Sequence, residues 1–576
     1  MYARLPALLC AAALLAATPP TAPEWHSAPP ARAPHAMIAT EQHYATQAGL
    51  RILERGGNAV DAAVAVAYAL AVVDPCCGNI GGGGFMLVRM HDGRERFIDF
   101  REKAPLRANP HMYLDAKGNV IPGASTKGYL AVGVPGTVMG MERARAEFGT
   151  LPRAVLMAPA IALADRGFTV EPGDAAIFAA SQSEGDSGAY TFAKQPNIRS
   201  IFMRNGTLPQ SGSVLAQPQL GATLALIAKD GAQAFYRGPI AREVVAASQR
   251  NGGILTLDDF SKYTVDERAP LHCTYRGYTI ASAPPPSSGG TTLCETLGVT
   301  SGFPLGQWGW HSVKSVHYVV EAERRTYADR NTYLADPAFV RNPVAQLLSP
   351  EYEAKLRGEI SAGKATPSVD VKPGLGPLAH ENADTTHFSI VDRWGNAVAV
   401  TFTINVLFGA GVIAGNTGFF LNDEMDDFTS KPGVPNMFGL VQGVRNDIEP
   451  GKRPLSSMTP TILTKNGQLF MVTGSPGGSR IITIALSTIQ NVVDYGMNVQ
   501  QAVNAPRIHM QWLPDEVQYE PGALSASTME TLRGMGYTFR EIHSWGSAQA
   551  VLVDPQSGVR YGGTDRRRPS GLAAGY

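Results

Sequence analysis

Apolar and polar residues alternate along two mid-chain runs, about Thr386–Val391 and Ala397–Thr403, with Arg393-Trp394-Gly395-Asn396 between them. A period of two around a Gly-Asn turn predicts a β-hairpin. Further strands are expected at Phe85–Met90, in the run that Arg101 ends, and at Thr459–Thr464 and Leu469–Thr473. The period changes to that of a helix over Ala45–Arg55 and Asn58–Val73, which Gly56-Gly57 separates. Ala62–Val73 is apolar all round and too short to span a membrane, so it predicts a buried helix. Helices are also predicted at Val134–Phe148, Pro152–Arg166, Pro218–Lys229, Ile240–Asn251, His311–Ala335 and from the Gly477-Gly478 turn to about Val493. Arg324, Arg325, Asp329 and Arg330 read as a solvated or ion-paired face. Ala283–Gly290 reads as a loop. The aperiodic, polar Lys364–Asp384 predicts a mobile tail leading into the hairpin.

The 576 residues suffice for a large core, and no repeat or composition shift marks a separate domain. With 49 basic and 49 acidic residues the formal charge is zero, which offers nothing to nucleic acid or an anionic membrane. Arg4 followed by apolar Leu5–Ala17 reads as a secretory signal, cut after Ala17 or Ala22, so 1–22 is taken as the leader. Export, most simply to a periplasm, follows. Cys10 follows Leu9, a poor fit to a lipid-acceptor site, so no membrane anchor is expected. The other cysteines, Cys76, Cys77, Cys273 and Cys294, have neither metal-motif spacing nor scaffold density. A Cys273–Cys294 bridge is conceivable, but the fold is not expected to depend on disulfides. Gly81–Gly84 lacks the Lys-Ser/Thr of a phosphate loop and leads into a strand, so it predicts close backbone packing.

Chemistry concentrates at Asp384-Thr385-Thr386-His387. A hydroxyl is a weak nucleophile until a base takes its proton, and an N-terminal Thr carries its own base in its α-amine. That amine has a reference pKa of about 7.7–8.0. While Asp384 still acylates Thr385, the nitrogen is an amide and has no basicity. The order of residues here closely resembles the segment at which γ-glutamyltransferases cut their own chain.

The resemblance covers about Met37 to Tyr576 and includes Met425-Asp-Asp-Phe428, Leu455-Ser-Ser-Met458 and Gly474-Ser-Pro-Gly-Gly-Ser-Arg480, in order. It implies cleavage of Asp384–Thr385 into a large fragment, 23–384, and a small one, 385–576, held as one heterodimeric unit. Thr385 would be the nucleophile, hydrogen-bonded by Thr403, with Asn405 orienting its surroundings. Arg101 would grip the substrate's α-carboxylate through its planar fork, although Asp99 and Glu102 beside it also suit a structural ion pair. Ser456 and Ser457 match the family's carboxylate-binding pair, and Glu424 and Asp427 would receive the α-ammonium. Gly477 and Gly478, at a helix entrance, suit an oxyanion hole by their own chemistry as well. No cofactor or metal is implied, and the acids lack His partners and calcium-loop spacing. In bacterial relatives a lid tyrosine bonds the matching asparagine; here Phe438 stands in that region.

The implied fold is α+β, a four-layer αββα sandwich of the N-terminal-nucleophile hydrolase type. The implied activity takes the γ-glutamyl group of glutathione and related compounds to water, or to amino acid and dipeptide acceptors. A glutaryl-type β-lactam acylase with the same machinery is the nearest rival, and the intact Glu424/Asp427 pair argues against it. An unprocessed binding protein or a secreted structural protein would not need the intact nucleophile and glycines.

Overall fold

Alternate residues of the central strands divide between two cores. Ile38, Met86, Val88, Phe388, Ile390, Val398 and Val400 pack among helices, while Met37, Ala39, Leu87, Val391, Ala397 and Ala399 pack against a second sheet. These positions come from a computed structural model that describes residues 26–181, 192, 195–373, 384–432, 434, 444–543 and 545–576.

The hairpin lies at the centre of a seven-stranded sheet. Its strands run in the order Leu572–Gly575, Met37–Thr40, Asp384–Val391, Ala397–Asn405, Gly83–Arg89, Glu95–Asp99, Asp266–Arg268. The facing seven-stranded sheet runs Ala31–Ala33, Arg560–Thr564, Gln549–Val553, Gln468–Gly474, Thr461–Lys465, Tyr278–Ser282, Leu271–Tyr275. Ala281, Ile462, Val472 and Val551 of this second sheet meet the first. Its opposite face, with Ile280, Leu463, Met471 and Ala550, packs on Leu293, Leu297, Tyr327, Ile482 and Ile489 from helices. Period-two alternation therefore builds a helix–sheet–sheet–helix stack, the expected four layers.

Small residues at the sheet–sheet interface let the two sheets approach closely. The uniformly apolar helix Ala59–Val73 is wholly buried on the outer side of the hairpin sheet, capped at its start by Asn58 and Asp61. The hairpin turn is tied to that same helix. Asp392 accepts from Trp394 and Asn396 within the turn and from the Ala59 amide (2.9 Å). The glycine run packs as expected: a side chain on Gly82 would collide with the Thr403 carbonyl.

Three sequence expectations need correction, and one possibility left open is realised. Arg324, Arg325, Asp329 and Arg330 are buried, because their helix, Val313–Tyr333, is enclosed and pairs them internally, as in Arg325–Glu321 (2.7 Å). A helix, Gly289–Ser301, starts within the last residues of the expected Ala283–Gly290 loop, and its buried Thr296 and Thr300 hydroxyls bond back to its own carbonyls. The tail is not loose where it is described. Ser368 is fully buried, donates to the Trp512 carbonyl, and its amide donates to Asp515 (2.7 Å). Residues 374–383 lie outside the described residues. Lastly, the conceivable Cys273–Cys294 bridge is formed and joins an edge strand to the new helix; the adjacent Cys76 and Cys77 sulfurs are also joined.

Toward the start of the hairpin the interface turns polar. His387, Ser389 and Thr401 replace the alanines and valines, and a Cβ on Gly474 of the facing sheet would sit 2.6 Å from His387 Nδ1. Gly474→Ala should therefore destabilise by about 1–3 kcal/mol through overpacking. Gly358→Ala, where an added Cβ meets nothing within 4 Å, is the control and should be near neutral. Denaturant titration of both variants checks this, and equal midpoints would remove the claimed contact.

Candidate functional site

The hairpin carries its chemistry at an irregularity. Asp384 pairs with Asn405 and Thr386 with Phe402, so the register shifts by one residue around Thr385. Thr403 and Ile404 thus lie opposite the single Thr385, a bulge of their strand that interrupts the ladder beside Thr385. Asn405, just beyond, holds a left-handed backbone (φ 79°) that non-glycine residues adopt mainly under local constraint. The constraint is visible here: its amide donates to Thr403 Oγ1 (2.8 Å) and its Nδ2 to the Asp423 carbonyl (3.1 Å). Asn405 thus ties the hairpin to the acidic segment Asn422–Asp427.

Thr385 lies against a small, partly open cavity of about 10 Å³, lined also by Thr403, Arg101, Asp427, Ser456, Ser457 and Gly478. Glu424 pairs with Arg101 and Gly477 precedes Gly478, so all ten predicted site residues converge. Thr385 is buried, and among the described residues its Oγ1 has no hydrogen-bond partner. The expected Thr403–Thr385 hydroxyl bond is therefore not made. Thr403 Oγ1 instead accepts from Asn405, and Thr385 sits at the register shift with its nitrogen still in the Asp384 amide.

The charged groups are also arranged differently from expectation. Arg101 does not stand across the pocket from the acids. Its guanidinium pairs directly with Glu424 and Asp427 and lies 3.6 Å from Glu102, while Nε and Nη2 donate to the Pro454 and Leu455 carbonyls. The two groups expected to hold opposite charges of a ligand thus satisfy each other. Burial works against the charge on Arg101, but Glu424, Asp427 and Glu102 outweigh it and hold its pKa above the ordinary value. Burial likewise pushes Glu424 and Asp427 up against the opposing pull of Arg101, and raises Glu102 to about 7. Glu102, weighed in the sequence only as a rival partner for Arg101, belongs to the cluster.

A 3₁₀ turn, Glu424–Asp427, presents the acids, with the Glu424 amide on Asn422 Oδ1 (3.0 Å) and Asn446 Nδ2 on the Asp427 carbonyl (2.6 Å). Ser456 is clasped by the Ala283–Gly290 loop: its amide donates to the Pro286 carbonyl (2.9 Å), and its carbonyl accepts from Ser288 Oγ (2.6 Å). Gly477 (φ 134°) and Gly478 (φ 63°) form the turn before the helix Arg480–Val493, a backbone that side chains resist. Phe438 lies outside the described residues. Asp74, Cys76 and Cys77, outside the cavity lining, bring three donor atoms together. The two sulfurs are joined, and the Arg568 guanidinium donates to Asp74 and Cys77 (both 3.3 Å), a cationic neighbour that disfavours a metal ion.

A buried threonine hydroxyl at the end of one of two opposed sheets, with a glycine turn and a charge cluster around it, has the architecture of the N-terminal-nucleophile hydrolases. A solved cephalosporin acylase from Bacillus halodurans has this fold, with a TM-score of 0.83 at 29% identity over 97% of this chain and 99% of its own. The gamma-glutamyltranspeptidase family profile matches residues 45–575, and the chain belongs to that family. A glutathione hydrolase proenzyme of Pseudomonas sp. (strain A14) is 52% identical over 95% of each chain. One from Escherichia coli (strain K12) is 45% identical over 95% of this chain and 93% of its own.

His387, two residues past Thr385, is buried and neutral, its pKa driven down to about 3 by desolvation. Ser389 Oγ donates to the Gln549 carbonyl (3.1 Å), so it accepts from His387 Nε2–H, leaving Nδ1 to accept from Thr401 (2.8 Å). The ordinary value is 6.5. Between the two values the unfolded chain binds a proton that the folded chain refuses, so stability falls as pH drops below 6.5. From pH 6.5 to 5 this one group should remove about 2 kcal/mol. His387→Gln should lose that much less stability over the same window in urea titration; an unchanged pH slope would contradict the assignment.

Proposed function

We propose that this chain is the precursor of a γ-glutamyltransferase that matures by breaking Asp384–Thr385, into 23–384 and 385–576 after loss of the leader 1–22, and that it acts after export. The observation carrying this reading is the cavity that joins an unpartnered, buried Thr385 hydroxyl to Arg101, Asp427, Ser456 and Ser457. Hydrolysis of the Asp384–Thr385 amide releases a carboxylate on Asp384 and an amine on Thr385. That amine then takes the proton from Thr385 Oγ1, and the oxygen attacks the γ-carbonyl carbon of the donor.

The donor is glutathione or a related γ-glutamyl compound. Its α-carboxylate goes to Arg101, Ser456 and Ser457, and its α-ammonium to Glu424 and Asp427. Three carboxylates around one guanidinium leave surplus negative charge when ionised, which an ammonium neutralises. The amides of Gly477 and Gly478 receive the oxyanion, an interaction worth about 2.7–4 kcal/mol per donor in comparable sites. The tetrahedral adduct expels the amine, which takes up the proton, and leaves a γ-glutamyl ester on Thr385. Water then yields glutamate, or an amino acid or dipeptide yields a new γ-glutamyl amide. Thr403 and Asn405 hold the nucleophile's backbone and surroundings.

Similarity to an acylase keeps a second reading in play, a glutaryl-type amide donor, which lacks the ammonium. Mass spectrometry of the matured protein with glutathione and glycylglycine separates the two. Glutamate plus γ-glutamyl-glycylglycine is expected. No turnover by protein verified as cut before Thr385, together with hydrolysis of a glutaryl amide, would transfer the assignment to the acylase. Thr385→Ala should remain one uncut chain; two fragments split after Asp384 would remove Thr385 from its role.

A further inference from the structure

Behind the two serines lies a cation that the sequence hid. Arg330, near the end of the helix Val313–Tyr333, is 1% exposed. Its Nε donates to Ser288 Oγ (2.9 Å), its Nη1 to Asn331 Oδ1 (3.0 Å) and its Nη2 to Ser457 Oγ (3.0 Å). Ser288 Oγ passes the contact on by donating to the Ser456 carbonyl (2.6 Å). One rigid fork therefore touches the Ser457 hydroxyl directly and the Ser456 backbone carbonyl through a single hydroxyl, and both serines line the cavity of Thr385.

The chemistry of a hydroxyl makes this directional. Serine has one hydrogen to give and lone pairs to receive. Arg330 takes a receiving side of Ser457 Oγ, which fixes that oxygen at the cavity wall and keeps the serine's own hydrogen on the donating side. A buried guanidinium also adds positive potential behind the pair. Burial lowers its pKa to about 10, which leaves it charged at neutral pH. The same helix braces the glycine turn, since the Tyr327 hydroxyl donates to the Ser479 carbonyl (2.6 Å).

We propose that Arg330 is a positioning residue for the donor's α-carboxylate, holding the Ser457 hydroxyl and, through Ser288, the Ser456 backbone in place without touching the substrate itself. The inference rests on the γ-glutamyl reading above. A purely structural arginine would affect all donors alike, whereas this one should act mainly on donors that carry the carboxylate.

The test compares γ-glutamyl-p-nitroanilide with 4-aminobutyryl-p-nitroanilide, which differs only in lacking the α-carboxylate, on wild type, Arg330→Gln and Arg330→Lys. Loss of a charge-assisted hydrogen bond should lower kcat/KM of Arg330→Gln for the first donor by about 10- to 100-fold, carried by KM. The second donor should change little, so the preference between them shrinks. Arg330→Lys, which keeps the charge and loses the fork, should fall between. Equal losses for both donors, or no loss for either, overturn the proposal. So does failure of both variants to mature, which would place Arg330 in folding or cleavage instead. Wild type that turns over neither donor would sink the γ-glutamyl reading, and the inference would fall with it.

Discussion

A guanidinium buried among three carboxylates is the interaction on which this molecule's architecture turns. Arg101 reaches Glu424, Asp427 and Glu102, and donates to the carbonyls of Pro454 and Leu455, while its own carbonyl accepts from the Tyr263 hydroxyl (2.8 Å). Segments far apart in sequence thus converge on one side chain. Removing one partner of a buried pair commonly destabilises by about 3–5 kcal/mol, because the other charge is stranded. Under the proposed γ-glutamyl reading a zwitterionic donor would separate this pair, and the binding apparatus and the glue of the fold would be the same atoms.

The nucleophile hairpin has a comparable double duty. Its middle is ordinary sheet, with alanines and valines inward between two sheets. At the Thr385 end the ladder slips, Asn405 adopts its left-handed backbone, and polar side chains replace alanines. Sparse backbone states of this kind each cost about 1–3 kcal/mol and persist only where surroundings over-determine them. Here the surroundings are specific. Asp423 holds Asn405, Glu41 accepts from the His387 amide (3.2 Å), and Gly474 leaves room for the imidazole.

Much of this was legible in the sequence, for identifiable reasons. Period-two alternation at Thr386–Val391 and Ala397–Thr403 needs only local chemistry, and the strands formed with slightly wider bounds. Roles for Arg101, Glu424, Asp427, Ser456 and Ser457 came from motif resemblance, and the fold gathers these residues around Thr385. Other features were out of reach. A register slip depends on the partner strand and leaves no trace in either run. Charged residues on a helix usually mean solvent, so Arg324 to Arg330 misled until packing showed the helix enclosed. Arg330 in particular is indistinguishable from its charged neighbours without knowing that Ser288 and Ser457 fold against it.

Charge also bears on which donors such a site can prefer. Unit charges about 4 Å apart interact by about 4 kcal/mol at an effective dielectric of 20, before desolvation is counted. A glutaryl donor brings a single negative group toward Arg101 and leaves Glu424 and Asp427 facing each other without their guanidinium. A γ-glutamyl donor replaces each half of the ion pair it breaks, its carboxylate taking the arginine and its ammonium taking the acids. Burial raises the Glu102, Glu424 and Asp427 carboxyls against the pull of Arg101, so this cluster is costly to keep fully ionised. Under the proposed γ-glutamyl reading, a donor lacking either charge would leave part of the cluster unanswered.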